Sequence, residues 1–197
     1  MSKPPVEIVD ALNIDTCTWL YNFADSNPAA FINDNQVIGM FKDKTIPLKN
    51  LHRTMPDPFG QLERVLNVSR FIAQKSILDY YEEYSYPENT ELVKWLPGDS
   101  MSVHSDNSWT EGNGLEEKKG IDHPTKYRTY SAIFYINDDY DGGEIYFPNW
   151  GIEIKPKAGS LVIFPSNDEY VHGVKEVKNI NRYSIAIWYA GQEYYAE

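Results

Sequence analysis

The stretch "TYSAIFYINDDYDGGEIYFPNWGIEIKPKAGSLVIFPS" (129–166) alternates short apolar runs with clusters of turn-forming residues. The runs "TYSAIFYIN" (129–137), "EIYFP" (144–148), "IEIK" (152–155) and "SLVIF" (160–164) are rich in β-branched and aromatic side chains, the composition of strands. Asp141-Gly142-Gly143, Asn149 to Gly151 and Pro156 to Gly159 separate them, and clusters of Gly, Pro and Asn turn the chain. The same rhythm continues on both sides. "ELVKWL" (91–96) and "MSVHSD" (101–106) precede the stretch, and "YVHGVKEV" (170–177) and "RYSIAIWYA" (182–190) follow it. Short strands at this spacing predict a mostly β fold, a double-sheet jelly roll or double-stranded β-helix.

The first third has a different period. "DTCTWLYNFADSN" (15–27) places Cys17, Leu20, Tyr21 and Ala24 on one helix face, with Asp15 as the expected N-cap. "QLERVLNVSRFIAQKSILDYYEEYS" (61–85) carries apolar residues at helical spacing throughout and predicts one long amphipathic helix. Between them, "IPLKNLHRTMPDPFG" (46–60) contains Pro47, Pro56 and Pro58 and is expected to be a loop. The expected organisation is one domain over 1–197. Residues 1–90 form a helical support that buttresses one outer face of a jelly-roll core at 91–190.

Bulk properties narrow the function. A net charge of −11 and a pI near 4.8 repel phosphate backbones, and no basic stripe offsets this, so no nucleic-acid partner is expected. Cys17 is the single cysteine, which excludes an intrachain disulfide and thiolate-rich metal sites. The start "MSKPPVEIVD" lacks the apolar core of a signal peptide, and no run approaches the roughly 18 apolar residues of a membrane span. The expectation is a cytoplasmic protein without a membrane partner.

His104 and Asp106 stand two positions apart in an expected strand, where residues i and i+2 share a side. His172 lies on a late strand that a jelly roll can bring beside the first. Two His and one carboxylate leave positions open on an ion, the ligand set of non-haem Fe(II) oxygenases. Zinc accepts the same donors, and solvated or hydrogen-bonded histidines are the plain alternative. Arg182 opens the strand "RYSIAIWYA", whose alternation puts Arg182, Ser184, Ala186 and Trp188 on one face. An inward arginine needs an anion. The distal carboxylate of a dicarboxylate such as 2-oxoglutarate would serve, with the Ser184 hydroxyl as an added donor. A structural pair with an acidic residue of the chain is the alternative.

His-x-Asp, a distal His and a basic residue about ten positions later resemble the 2-oxoglutarate- and Fe(II)-dependent dioxygenases, most closely their prolyl 4-hydroxylase-like branch. "LPGDSMSVHSDN" (96–107), "YRTYSAIFYINDDYDGGEIYFP" (127–148), "KPKAGSLVIFPS" (155–166) and "VHGVKEVKNINRYSIAIWYA" (171–190) carry the resemblance, in that branch's order. It implies His104, Asp106 and His172 as iron ligands and Arg182 as the partner of the distal 2-oxoglutarate carboxylate. Tyr135 would add a hydrogen bond to that carboxylate, Ser184 would assist, and Trp188 would line the site near the iron.

The implied cofactors are Fe(II), 2-oxoglutarate and O2, with ascorbate as an optional accessory. The implied reaction is hydroxylation of a peptidyl residue, foremost proline, in a peptide or protein substrate. The alternatives are the same chemistry on a free amino acid or small metabolite, or a non-catalytic jelly-roll binding module. Trp95 and Met101 stand where the family usually has tyrosine, so hydrogen bonding around the co-substrate must differ. The AlkB-like nucleic-acid demethylases typically carry a second arginine where this chain has Trp188. The segment "NSWTEGNGLEEKKGIDHPTKYR" (107–128) is expected to be a mobile lid that decides the substrate, while His123 and His52 are expected to be ordinary loop histidines.

Overall fold

The structure, a computed structural model, describes residues 2–31, 44–51, 57–109 and 121–195. In chain order its elements are β1 (Val6–Ile8), α1 (Ile14–Ser26), β2 (Thr45–Pro47), α2 (Phe59–Tyr81), β3 (Tyr86–Trp95), β4 (Met101–His104) and β5 (Arg128–Tyr135). There follow β6 (Asp141–Gly142), β7 (Ile145–Phe147), β8 (Ile152–Ile154), β9 (Leu161–Pro165), β10 (His172–Val174), β11 (Val177–Lys178) and β12 (Arg182–Ala190). A six-stranded antiparallel sheet runs β1-β9-β5-β12-β3-β2, and a four-stranded sheet runs β4-β10-β7-β8. A small β11-β6 pair closes one end. The fold is the expected mostly β jelly roll with flanking helices.

Strand alternation divides the large sheet into two faces. Tyr183, Ile185, Ile187 and Tyr189 of β12 join Tyr130, Ala132 and Phe134 of β5 beneath Leu62, Leu66, Ala73 and Ile77 of α2. Burying each of the leucine and isoleucine side chains stabilises the fold by about 1.5–3 kcal/mol. The opposite face looks between the sheets. There Tyr135, Val162 and Phe164 pack on Ile145, Phe147 and Tyr170, while Val93 and Trp95 pack on Tyr140, Val174 and Val177. Gly142, at φ +68°, lets β6 meet β11, because a Cβ there would lie 1.9 Å from the Glu176 carbonyl oxygen.

Several boundaries differ from expectation, each for a local reason. The N-cap of α1 is Asn13, whose side-chain oxygen accepts the Thr16 N–H at 2.7 Å; Asp15 lies inside the first turn, where it complements the helix dipole. Helix α2 begins at Phe59 and stops at Tyr81, since Glu82 takes a left-handed conformation at φ +64° and its N–H reaches back to the Leu78 carbonyl. The expected loop at 46–60 contributes β2, an edge strand in which Pro47 withholds no needed ladder bond. Strand β3 begins at Tyr86, ahead of the expected residue 91, because β12 pairs with it along its whole length. Strand β4 ends at His104, so Asp106 sits just past the strand and not within it. The run 170–177 splits into β10 and β11, which join different sheets. His52 and residues 110–120 of the expected lid lie outside the described residues. Among the described residues, no helix is long and apolar enough to cross a membrane.

Candidate active site

Two histidines meet because of strand register. β10 pairs antiparallel with β4, and His172 stands directly opposite His104. Their ring centroids are 4.4 Å apart, and His172 is further walled by Phe164 and Phe147. Both Nδ1 atoms face a backbone carbonyl two residues back, Ser102 for His104 at 3.0 Å and Tyr170 for His172 at 3.1 Å. A carbonyl only accepts, so each Nδ1 carries the proton and each Nε2 presents its lone pair. Asp106 completes the group, with Oδ1 3.6 Å from His104 Nε2 and Oδ2 3.9 Å from His172 Nε2. The three donor atoms lie within 4.8 Å of one another.

The electrostatics suit a cation. Burial alone would raise the Asp106 carboxyl, but the neighbouring His104 and His172 and the Ser131 hydroxyl outweigh it and hold the group well below the carboxylate range. Burial and the neighbouring His104 lower His172 to about 4, which keeps its imidazole neutral near pH 7. Burial also works against a charged His104, yet the adjacent Asp106 carboxylate prevails and raises it. One carboxylate facing two imidazoles with open Nε2 atoms fits a divalent ion.

Farther along the interior lies Arg182, 1% exposed. It stands opposite Trp95 in register. Its guanidinium lies over two aromatic rings, 4.7 Å from the Trp95 centroid and 4.8 Å from that of Tyr135. Nε and Nη1 meet no hydrogen-bond partner, and among the described residues no carboxylate pairs with the group. Within those residues, no structural ion pair answers it. The buried hydroxyls of Tyr135 and Tyr140 are likewise unpartnered. Burial pushes both phenols up, and the charge of Arg182 counters it at each, which places all three side chains in one electrostatic neighbourhood. Ser184 is buried opposite Tyr135 and Val93. An unpaired buried cation with nearby hydroxyls is costly unless an anion completes it. A carboxylate has the charge and acceptors to complete this group.

Trp188 stands opposite Ser131 in register, under the Arg128 guanidinium at 4.5 Å. Arg128 in turn is paired with Glu88 at 3.0 Å. The two departures from the family pattern also have structural roles. Trp95 offers its ring face to Arg182, and Met101 packs in the cluster with Val174 and Ile180. His123 packs edge-on to Trp109 and meets the Thr125 hydroxyl at 2.9 Å, while Thr125 itself donates to the Asp106 carbonyl.

Sequence reasoning missed Ser131 and Tyr140. Ser131 lies on the same face of β5 as Tyr135, so alternation could have marked it. Tyr140 follows that strand in a bend and carries no periodic signal.

The family model described as the 2OG-Fe(II) oxygenase superfamily matches residues 90–190, the span that holds all of these side chains. The chain belongs to that superfamily. A member of it uses Fe(II), 2-oxoglutarate and O2, and is an oxidoreductase. Mouse prolyl 3-hydroxylase 2 is 37% identical over 105 residues, covering 50% of this chain and 14% of that protein. Human prolyl 3-hydroxylase 1 is 40% identical over 98 residues, covering 46% of this chain and 13% of that protein. The chain thus spans about one seventh of the length of these curated relatives.

Two solved structures share the fold at 18% identity. The viral collagen prolyl hydroxylase of Paramecium bursaria Chlorella virus-1, in its 2OG complex, has a TM-score of 0.64 and covers 97% of this chain and 98% of its own. A Pseudomonas putida prolyl-4-hydroxylase has a TM-score of 0.64 and covers 95% of this chain and 92% of its own.

Proposed function

We propose that this oxygenase hydroxylates a peptidyl residue, foremost proline, with 91–190 as its catalytic core and 1–90 as the support of that core. The unpaired guanidinium of Arg182 carries the site assignment, because it is a buried cation awaiting an anion on the interior face of the family's jelly roll. The names of the relatives, prolyl 3-hydroxylases by sequence and prolyl hydroxylases by fold, support the choice of proline.

His104, Asp106 and His172 hold the iron, each histidine aimed by its Nδ1–carbonyl bond. Arg182 takes the distal carboxylate of 2-oxoglutarate, and the hydroxyls of Tyr135, Tyr140 and Ser184 add neutral donors there. The Trp95 and Tyr135 rings against the guanidinium restrict it, so few arrangements are lost when the co-substrate binds. When bound, the iron supplies the oxidising chemistry, in which O2 and 2-oxoglutarate give succinate, CO2 and one hydroxylated C–H bond. Phe147, Phe164 and Trp188 keep the surroundings apolar and orient what enters. The segment 107–128 selects the substrate. The cytoplasm is the compartment we propose, since a lone buried cysteine needs no oxidising one.

The test is succinate release from 2-oxoglutarate with Fe(II), using proline-containing peptides and free amino acids in parallel. The expected outcome is stimulation by a peptide that gains one oxygen, with chromatography of the hydrolysate showing whether C3 or C4 of proline is hydroxylated. Stimulation by a free amino acid alone would replace this reading with a small-molecule hydroxylase. Metal binding without any turnover would leave a binding module.

A further inference from the structure

Asp106 is held more firmly than a ligand needs to be. Its Oδ2 accepts from Ser131 Oγ at 2.5 Å, Ser131 Oγ lies 2.9 Å from Ser166 Oγ, and Ser105 Oγ donates to the Ser166 carbonyl at 2.8 Å. All three serines are buried, none more than 4% exposed. A hydroxyl has one hydrogen to give, and an ionised carboxylate only accepts. The direction is therefore fixed: Ser166 donates to Ser131, and Ser131 donates to Asp106. The main-chain carbonyl of Asp106 is engaged separately, by Thr125 Oγ1 at 2.6 Å.

The consequence concerns how many oxygens the carboxylate can offer. Two imidazoles and one carboxylate oxygen leave three positions on a six-coordinate ion, whereas a chelating carboxylate leaves two. A bidentate co-substrate would then fill both, with no place for O2. Ser131 occupies Oδ2, while Oδ1 faces His104 Nε2.

We infer that Ser131, backed by Ser166, is a positioning residue that keeps Asp106 a one-oxygen ligand. This rests on the assignment of His104, Asp106 and His172 as the metal ligands. Ser131 touches neither the ion nor a substrate; it acts through Asp106 alone.

The experiment is anaerobic Fe(II) titration of the wild type and of Ser131→Ala, Ser131→Thr, Ser166→Ala and Asp106→Ala. It is paired with infrared difference spectra of protein labelled with ¹³C in its aspartate carboxyls. Loss of an outer partner of a ligand typically weakens metal binding by roughly 10–100-fold, and Ser131→Ala is expected in that range. Its carboxylate stretches should move closer together, as chelation requires, and Ser131→Thr should restore both readouts. Ser166→Ala should give the same change in weaker form, and it carries the test if Ser131→Ala does not fold. Wild-type affinity and an unchanged splitting in Ser131→Ala would overturn the inference. Wild-type affinity in Asp106→Ala would overturn the ligand assignment itself, and the inference with it.

Discussion

The two ends of the barrel interior are built on opposite principles. At the His104–Asp106–His172 end, side chains satisfy one another: each Nδ1 has its carbonyl, and Asp106 has Ser131 on one oxygen. At the Arg182 end, buried polar atoms are left over, with two guanidinium nitrogens and two tyrosine hydroxyls unpartnered. The first end is preorganised by protein alone, so that donors meet an ion without rearrangement. The second leaves, among the described residues, a demand that the carboxylate of a ligand would answer. A carboxylate arriving there recovers hydrogen bonds to a charged group, each worth about 1.5–3 kcal/mol. On the proposed assignment, the contrast explains how one interior would hold its metal ligands rigidly and still bind a small co-substrate reversibly.

The comparison can be broken at either end. The largest effect is expected at the self-satisfied end, where His172→Ala removes a ligand and not an outer partner. Fe(II) affinity should fall beyond the roughly 10–100-fold typical of outer partners, and succinate release should fall to background. The fold should persist, because Phe147 and Phe164 still wall the site. Anaerobic titration beside a melting curve checks both halves.

Arg182→Met should produce two changes of opposite sign. The 2-oxoglutarate concentration for half-maximal turnover should rise about 10–100-fold, the loss of charge-assisted bonds. The ligand-free protein should become more stable by about 1–4 kcal/mol, since a buried charge gives way to an apolar side chain of similar length. Denaturant unfolding without co-substrate reads the second change.

A smaller effect sharpens the account. Tyr140→Phe deletes one hydroxyl of about 1 kcal/mol, so the 2-oxoglutarate requirement should rise about fivefold while the maximal rate holds. Steady-state kinetics in varied 2-oxoglutarate separates the two parameters.

The smallest change lies outside the comparison. Asn13→Ala removes the cap of α1 and should cost about 1 kcal/mol of stability with kinetics unaltered, which assigns the N-terminal helices to support. A melting curve and an activity assay decide it.

How much of this was legible in the chain follows from locality. Strand β12 was readable to the residue, because its alternation holds over nine residues with both faces buried differently. The convergence of His104, Asp106 and His172 was readable as well, although Asp106 reaches its place from a bend beyond β4, not from the strand that the i, i+2 argument assumed. Strands β1 and β2 were invisible, being three-residue edges whose only reason to be extended is a partner far along the chain. The serine relay drew on positions 105, 131 and 166, so only the assembled sheets could show it. Tyr140 sits in a bend and comes near Arg182 through tertiary packing alone.

The most direct test of the central claim is the response of metal-free protein to 2-oxoglutarate. Unfolding midpoints would be measured for the wild type and Arg182→Met across a titration with the dicarboxylate, and again with a monocarboxylate such as pyruvate. The account predicts that 2-oxoglutarate stabilises the wild type in a saturable way, that pyruvate does so much less, and that Arg182→Met loses the response. An equal rise in both proteins, or an equal response to both acids, would contradict it.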